Sequence, residues 1–226
     1  MKSKKINNVL IMAAGRGIRM MPLTKKIPKA MAPMRGSTLI AKGIKKVQKY
    51  FNNVHITVGY KGELLAKHVT ELNVDTILNT KNKGNSWWMY NSLLKNLNEP
   101  IFVLTCDNLY NMSFNFQLKE YFKIGNPACM IVPANPIDNY EGDYISHKNN
   151  NIIRISRQKR TNLMCSGIQI LNPARINKIT NQRQQFIQVW KQLIDKKEIK
   201  ISSKPVKNWH AIDNLMQLKK FNNAKR

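Results

Sequence analysis

The stretch Ala13 to Met31, "AAGRGIRMMPLTKKIPKAM", follows directly on the apolar run "NVLIM" of Asn8 to Met12, and its reading decides the fold. It places two glycines, two prolines and the cations Arg16, Arg19, Lys25, Lys26 and Lys29 in one connection. In an open α/β sheet the loop leaving the carboxyl end of the first strand is where ligands bind. Glycines there let backbone N–H groups approach an anion, and basic side chains neutralise it. The loop is built like a phosphate site. It is neither of the common kinds: G-x-G-x-x-G needs glycine at position 20, which is Met20, and no G-K-[S/T] follows.

Outside the loop, strand-length apolar runs alternate with helical patterns. "NVHITVGY", "VDTILN", "PIFVLTCD" and "ACMIVPA" are continuously apolar rather than alternating, which predicts burial on both faces and largely parallel pairing. Ile40, Ile44, Val47 and Phe51 recur at helical spacing and predict a helix from Thr38 to Phe51. Ser86 to Leu97 and Phe116 to Phe122 read the same way. After Pro133 short alternating pieces, "DYISHK", "NIIRISR" and "LMCSGIQIL", predict an antiparallel excursion. Phe186, Trp190 and Leu193 then share a helix face, followed by a strand at "EIKISS" and a last helix from about Asp213. The order is that of an α/β fold with right-handed crossovers.

The chain has 226 residues, enough for one substantial core, and 42% of them are apolar. No segment approaches the roughly 20 apolar residues that span a bilayer. The start, "MKSKKINNVLIMAAG", has the outline of a secretory leader, but "VLIMAA" is shorter than the usual apolar region of about 7–15 residues and reads as a strand. Cys106, Cys129 and Cys165 are odd in number and lack CxxC spacing, which predicts buried thiols in a reducing compartment, the cytoplasm. His55, His68, His147 and His210 show no ligand spacing.

Thirty-eight Lys and Arg against twelve Asp and Glu give a formal charge of +26, which attracts polyanions. The basic residues are spread through a Lys-, Asn- and Ile-rich chain rather than gathered in an arm, and no helix-turn-helix, RNA-recognition or zinc-finger pattern is present. Nucleic acid is therefore not the expected partner.

The loop resembles the signature of the sugar-1-phosphate nucleotidyltransferase superfamily, roughly "AAGxGxRxxPLTxxxPKxM". It stands here as Ala13, Ala14, Gly15, Gly17, Arg19, Pro22, Leu23, Thr24, Pro28, Lys29 and Met31. The resemblance implies a single Rossmann-like three-layer α/β domain over 1–226 with a mainly parallel mixed sheet, of the nucleotide-diphospho-sugar transferase type. Its nucleotide-binding half would be 1–135 and its acceptor-binding half 136–226. The Ala13–Gly17 backbone would hold a triphosphate, with Arg19 and Lys29 on phosphates as catalytic cations.

"FVLTCDNLY" resembles the segment whose aspartate, here Asp107, binds Mg²⁺ in the family. An NTP brings its charge as a Mg²⁺ complex, and that hard cation takes one or two carboxylates plus phosphate oxygens and water. The other reading of Asp107 is a cap on the "DNLYN" turn. Cys106 stands where many relatives carry Gly or Ala. "NWHAIDNLMQLKKF" is similar to the family's C-terminal element with a second metal-binding aspartate, here Asp213, although Asn214 and Leu215 depart from it. Asp213 is also a candidate N-cap for the last helix.

"NKGNSWWMYNSL" fits the region that passes the nucleobase, with Gly84 allowing close backbone approach and Ser86 capping a helix. One of Trp87 and Trp88 is expected in the core and the other is a candidate to line the pocket. Gly142 and Gly167 match positions where sugar hydroxyls approach the backbone. The family's frequent "EKP" is absent, and Arg157, Gln158 and Lys159 are the nearest residues.

The implied reaction is Mg²⁺-dependent transfer of NMP from an NTP to a phosphorylated small-molecule acceptor, releasing pyrophosphate. The acceptor is a sugar 1-phosphate or, as in phosphocholine cytidylyltransferase-like enzymes, a small phosphorylated alcohol or amide. A catalytically silent nucleotide- or nucleic-acid-binding module is the alternative of another class. A homo-oligomer is left open.

Overall fold

The computed structural model describes residues 6–137 and 141–223. The basic Met1 to Lys5 of the leader-like segment lie outside the described residues. The chain divides into two compact units, the first built from the described residues 6–82, 104–109 and 210–223, the second from the described residues 83–103, 110–137 and 141–209.

In the first unit, strands β1 (Ile6–Met12), β2 (Pro33–Met34), β3 (Ser37–Thr38), β4 (Phe51–Val58) and β5 (Thr76–Asn79) accompany helices α1 (Leu23–Lys26), α2 (Leu39–Val47) and α3 (Gly62–Thr70). The order β5-β4-β1 is parallel throughout, with Ile6 opposite Phe51 and His55 opposite Thr76. Val9, Leu10 and Ile56 are fully buried, as continuous apolarity predicts for a parallel sheet. Thr38 caps α2 by accepting the Ala41 N–H at 3.2 Å, and Leu39, Ile40, Ile44 and Val47 form its buried face. The predicted helix ends early. Phe51 lies at helical spacing from Val47, yet it opens β4, because the β-branched run behind it pairs with β1.

The second unit begins β6 (Ile101–Thr105), whose last two residues belong to the first unit, and includes β8 (Cys129–Ala134) to β12 (Ile199–Ile201). Between them come β9 (Tyr144–Lys148), β10 (Asn151–Ser156) and β11 (Met164–Leu171); β7 (Asn108–Asn111) and β13 (Lys207–Ala211) form a separate pair. The sheet order here is β6-β11-β8-β12-β10-β9, with β12–β8 parallel and β11–β6, β11–β8, β10–β12 and β10–β9 antiparallel. This is the antiparallel excursion that the alternating pieces predict, and the architecture is the expected α/β class with a mixed sheet.

Its helices are α4 (Trp87–Asn91), α5 (Phe114–Lys123), α6 (Pro173–Ile179) and α7 (Phe186–Asp195); α8 (Leu215–Asn223) belongs to the first unit. The single helix predicted from Ser86 to Leu97 is broken at Ser92, which is extended at ψ 175° and accepts the Leu94 N–H to start a 3-10 turn. A short hydroxyl side chain competes with helix propagation in this way. Trp88 is the core tryptophan, edge-on to Phe186 at 6.5 Å, while Trp87 is half-buried with the Lys83 ammonium 5.6 Å from its ring centre.

Candidate active site

The site grows out of the end of β1. The Ala13 N–H donates to the buried Thr57 hydroxyl at 3.1 Å, and the Ala14 carbonyl accepts from the Tyr60 N–H at 3.1 Å. The Cys106 N–H donates to Met12 O, which sets the residues after β6 beside β1. A Cβ on Gly59 would lie 2.7 Å from the Ala14 carbonyl oxygen, so only glycine permits this approach.

Beyond Ala14 the backbone turns at Gly17, left-handed at φ 64°, into a 3-10 turn over Ile18–Met20 whose Met20 is fully buried. Met20, Ala32, Met34, Leu39, Ile212 and Leu218 make one apolar cluster, which pins the loop and the residues before α8 to the same base. The Thr24 hydroxyl donates to Gly17 O at 3.0 Å, and the Tyr60 hydroxyl donates to Thr24 O at 2.9 Å. The Arg16 guanidinium lies 5.5 Å from the centre of the Tyr60 ring. Gly15 has open space where a Cβ would stand, whereas a Cβ on Gly17 would meet the Lys29 Cβ at 2.7 Å. The second glycine thus lets the stem of Lys29 pass against the turn.

Lys29 is the centre of the arrangement. Its ammonium donates to Asp107 Oδ2 and, at 2.8 Å, to Asp213 Oδ1. Arg19 Nη2 reaches the same Asp213 oxygen at 3.0 Å. The Lys29 side chain is only 11% exposed and each aspartate 19%, while Arg19 stands 68% exposed. Burial works against the Lys29 charge, but the Asp107 charge and the hydrogen bonds to both carboxylates outweigh it and hold the ammonium above its ordinary pKa. Burial pushes the neighbouring Cys106 thiol up, assisted by Asp107. All three cysteines are free, with Cys129 buried and Cys106 and Cys165 half-buried.

Asp213 is brought to Asp107 by the Ile212 N–H, which donates to Asp107 O at 2.9 Å. It does not cap α8. Asn214 does, by accepting the Gln217 N–H at 2.9 Å, while Gln217 Oε1 accepts back from the N–H groups of Asp213 and Asn214 at 2.7 and 3.2 Å. This is a capping box with Asn and Gln in its two places, and it leaves the Asp213 carboxylate to the cations.

Two converging carboxylates suit a hard divalent cation completed by phosphate oxygens and water, so the donor set fits Mg²⁺. Among the described residues no group of three or more His, Cys, Asp or Glu converges. The histidines are engaged elsewhere: His55 with Asn8, His68 with Thr38, His147 with Asn149 O, and His210 with the Phe221 ring at 4.9 Å.

The candidates in the second unit meet their own chain. The Gly84 N–H donates to Gln184 Oε1 at 3.0 Å, and a Cβ on Gly84 would overlap the Gln184 carbonyl. Ser86 makes no cap bond. Its hydroxyl donates to Arg183 O at 2.9 Å, a correction to the capping expectation. A Cβ on Gly142 would overlap the Met164 methyl, a mobile end of a side chain. Gly167 has φ 78° and falls at the register shift of β11 between Cys165 and Ile168. Arg157 pairs with Asp143 at 3.0 Å, and the backbone N–H groups of Gln158 and Lys159 both reach Ser156 Oγ.

Sequence reasoning missed Thr57, Gly59, Tyr60 and Gln217. "VGY" after the second strand offered a glycine and an aromatic at a strand end, and N-x-x-Q before the last helix offered the capping pattern.

The described chain contains no helix long and apolar enough to cross a membrane. In sequence it is 24% identical over 166 residues to the bifunctional protein GlmU of Methanococcus aeolicus, covering 71% of this chain and 39% of that protein. It thus spans about two-fifths of the length of that relative. In structure it is similar to the inositol-1-phosphate CTP transferase of T. maritima, with TM-score 0.76, 16% identity and complete coverage of both chains. The CTP:phosphocholine cytidylyltransferase of Streptococcus pneumoniae gives TM-score 0.75 and 18% identity over 96% of this chain and 97% of that one. Residues 8–209, most of the sequence, match the nucleotidyl transferase family, and the chain belongs to that family.

Proposed function

We propose that the protein is a Mg²⁺-dependent nucleotidyltransferase that moves NMP from an NTP to a phosphorylated small-molecule acceptor, with a sugar 1-phosphate as first choice. The observation that carries the reading is the convergence of Lys29, Arg19, Asp107 and Asp213 at the end of β1, on a glycine loop tied to the strands beside it. Such a cluster has cations and carboxylates but no nucleophile and base, which suits in-line attack of an acceptor phosphate oxygen on the α-phosphorus. That chemistry asks for positioning and charge neutralisation.

In this reading the backbone from Ala13 to Gly17 receives the triphosphate, and Lys29 and Arg19 bind phosphate oxygens and offset the charge on the departing pyrophosphate. Asp107 and Asp213 hold the Mg²⁺, which supplies further neutralisation and orientation when bound. Residues 136–226 carry the acceptor half, with Gly142 and Gly167 near the acceptor.

A second reading, a cytidylyltransferase acting on phosphocholine or a similar phosphorylated alcohol or amide, is favoured by one feature. The "EKP" lysine common in the sugar enzymes is absent, and Arg157 is engaged by Asp143. A silent binding module is disfavoured because the loop and both aspartates are kept together.

The test is pyrophosphate release with Mg²⁺ across ATP, CTP, GTP and UTP, each against a panel of sugar 1-phosphates and phosphocholine, with Asp107→Ala as control. Turnover that requires one NTP, one acceptor and Asp107 is expected. NTP binding without turnover on any acceptor, together with salt-sensitive retention on DNA, would replace the transferase with the binding module.

A further inference from the structure

Lys29, Arg19, Asp107 and Asp213 sum to zero formal charge, and the contacts between them are specific. The Lys29 ammonium spends one N–H on each carboxylate, and Asp213 Oδ1 is shared by Lys29 and Arg19. The two cations differ in freedom. Lys29 is 11% exposed, with its stem held against Gly17, whereas Arg19 is 68% exposed and swings at little cost.

A divalent metal seeks the same anionic oxygens. Mg²⁺ sheds water reluctantly and needs uncompensated oxygen ligands, and a fixed ammonium at hydrogen-bond distance from those oxygens repels it. We propose that Lys29 is the resident counterion of the Asp107–Asp213 pair, and that a divalent cation enters the pair only after an anionic ligand has drawn Lys29 off the carboxylates. The inference rests on the transferase reading of the site for the identity of that ligand, the phosphates of an NTP. Its consequence is coupling: nucleotide raises metal affinity and metal raises nucleotide affinity by the same factor. The site then stays neutral, and closed to free metal, until the nucleotide arrives.

The experiment measures Mn²⁺, a paramagnetic substitute accepting the same oxygen ligands, by water-proton relaxation enhancement on the full chain. The enhancement rises when the ion is carried by the slowly tumbling protein. Wild type with Mn²⁺ alone is expected to bind weakly, Lys29→Met at least about tenfold more tightly, and Lys29→Arg like wild type, because arginine keeps the competing charge. Adding Asp107→Asn to Lys29→Met should abolish the gain. CTP or UTP should raise the wild-type enhancement by about tenfold or more and that of Lys29→Met by much less.

Equal Mn²⁺ binding by wild type and Lys29→Met without nucleotide overturns the counterion role, whatever the pyrophosphate assay gives. The expected gain in Lys29→Met, with no NTP binding and no pyrophosphate release by wild type, upholds the exclusion of free metal and removes the transferase reading. If Lys29→Met does not fold, Lys29→Gln decides, because it removes the same charge but keeps a neutral donor beside the carboxylates. A gain of about tenfold in Mn²⁺ binding without nucleotide supports the counterion role, and no gain overturns it.

Discussion

The sequence predicts for both Gly17 and Gly84 a close approach of backbone to a nucleotide, yet the two sit in different company. Gly17 turns left-handed so that the stem of Lys29 fits against it, and Lys29 reaches two carboxylates. Gly84 is pressed against the carbonyl of Gln184 and donates its N–H to that residue's side chain. A glycine in a sequence announces a close approach but does not say to what. Only its neighbours decide whether that approach serves chemistry or packing.

The largest effect that tests this contrast belongs to the group Lys29 serves. Asp107→Asn keeps the size of the side chain and removes the charge that faces Lys29, so turnover should fall by about 10²–10³-fold while the melting temperature moves by only a few degrees. Pyrophosphate release and a thermal melt on the same preparation check both halves. A loss of stability as large as the loss of activity would make the aspartate a structural anchor.

Gly17→Ala comes next. The new methyl enters a left-handed position and meets the Lys29 Cβ at 2.7 Å, so stability should drop by about 1–2 kcal/mol and turnover by about 10–100-fold as Lys29 shifts. Gly15→Ala is the built-in comparison, because its methyl enters open space and should cost little stability. Gly84→Ala should reverse the balance, with a stability loss of about 1–3 kcal/mol as the main reading in a urea titration. A rise in KM for the NTP that exceeds what the stability loss explains would instead put the base on Gly84.

Most of the fold was legible because parallel strands are continuously apolar and the alternating pieces after Pro133 mark a change of pairing. What was not legible were choices between local signals. Phe51 satisfies both a helical spacing and the first place of a strand, and pairing with Ile6 settles it. Ser92 sits inside an apparently helical run, and its hydroxyl bond to Leu94 breaks it.

At the site, the residues that carry charge were legible from the loop and the two aspartates. The ones that hold them were not. Thr24 and Tyr60 act through backbone carbonyls, and Gln217 through the N–H groups of Asp213 and Asn214, bonds that leave little trace in residue type.

Gln217→Leu sharpens that last point with a smaller effect. It leaves two N–H groups without their acceptor and loosens the turn that aims Asp213, so a cost of about 1 kcal/mol and a several-fold loss of turnover are expected. Gln217→Glu keeps an acceptor in place and should recover most of both. If glutamate fails to rescue turnover while restoring the melting temperature, the amide has a role beyond holding the turn.

The smallest effect is expected at Gly142, where the contact is made with the softest partner. A Cβ there meets the terminal methyl of Met164, which has three rotatable bonds and can move aside, unlike the Gln184 carbonyl opposite Gly84. Gly142→Ala should therefore cost less than about 1 kcal/mol in a urea titration. The interest lies in the acceptor: if Gly142 admits an acceptor hydroxyl to the backbone, KM for the acceptor rises while KM for the NTP stays level, and the glycine belongs with Gly17 rather than Gly84. A change in neither constant would class it with Gly84, as a glycine kept for the neighbour it touches.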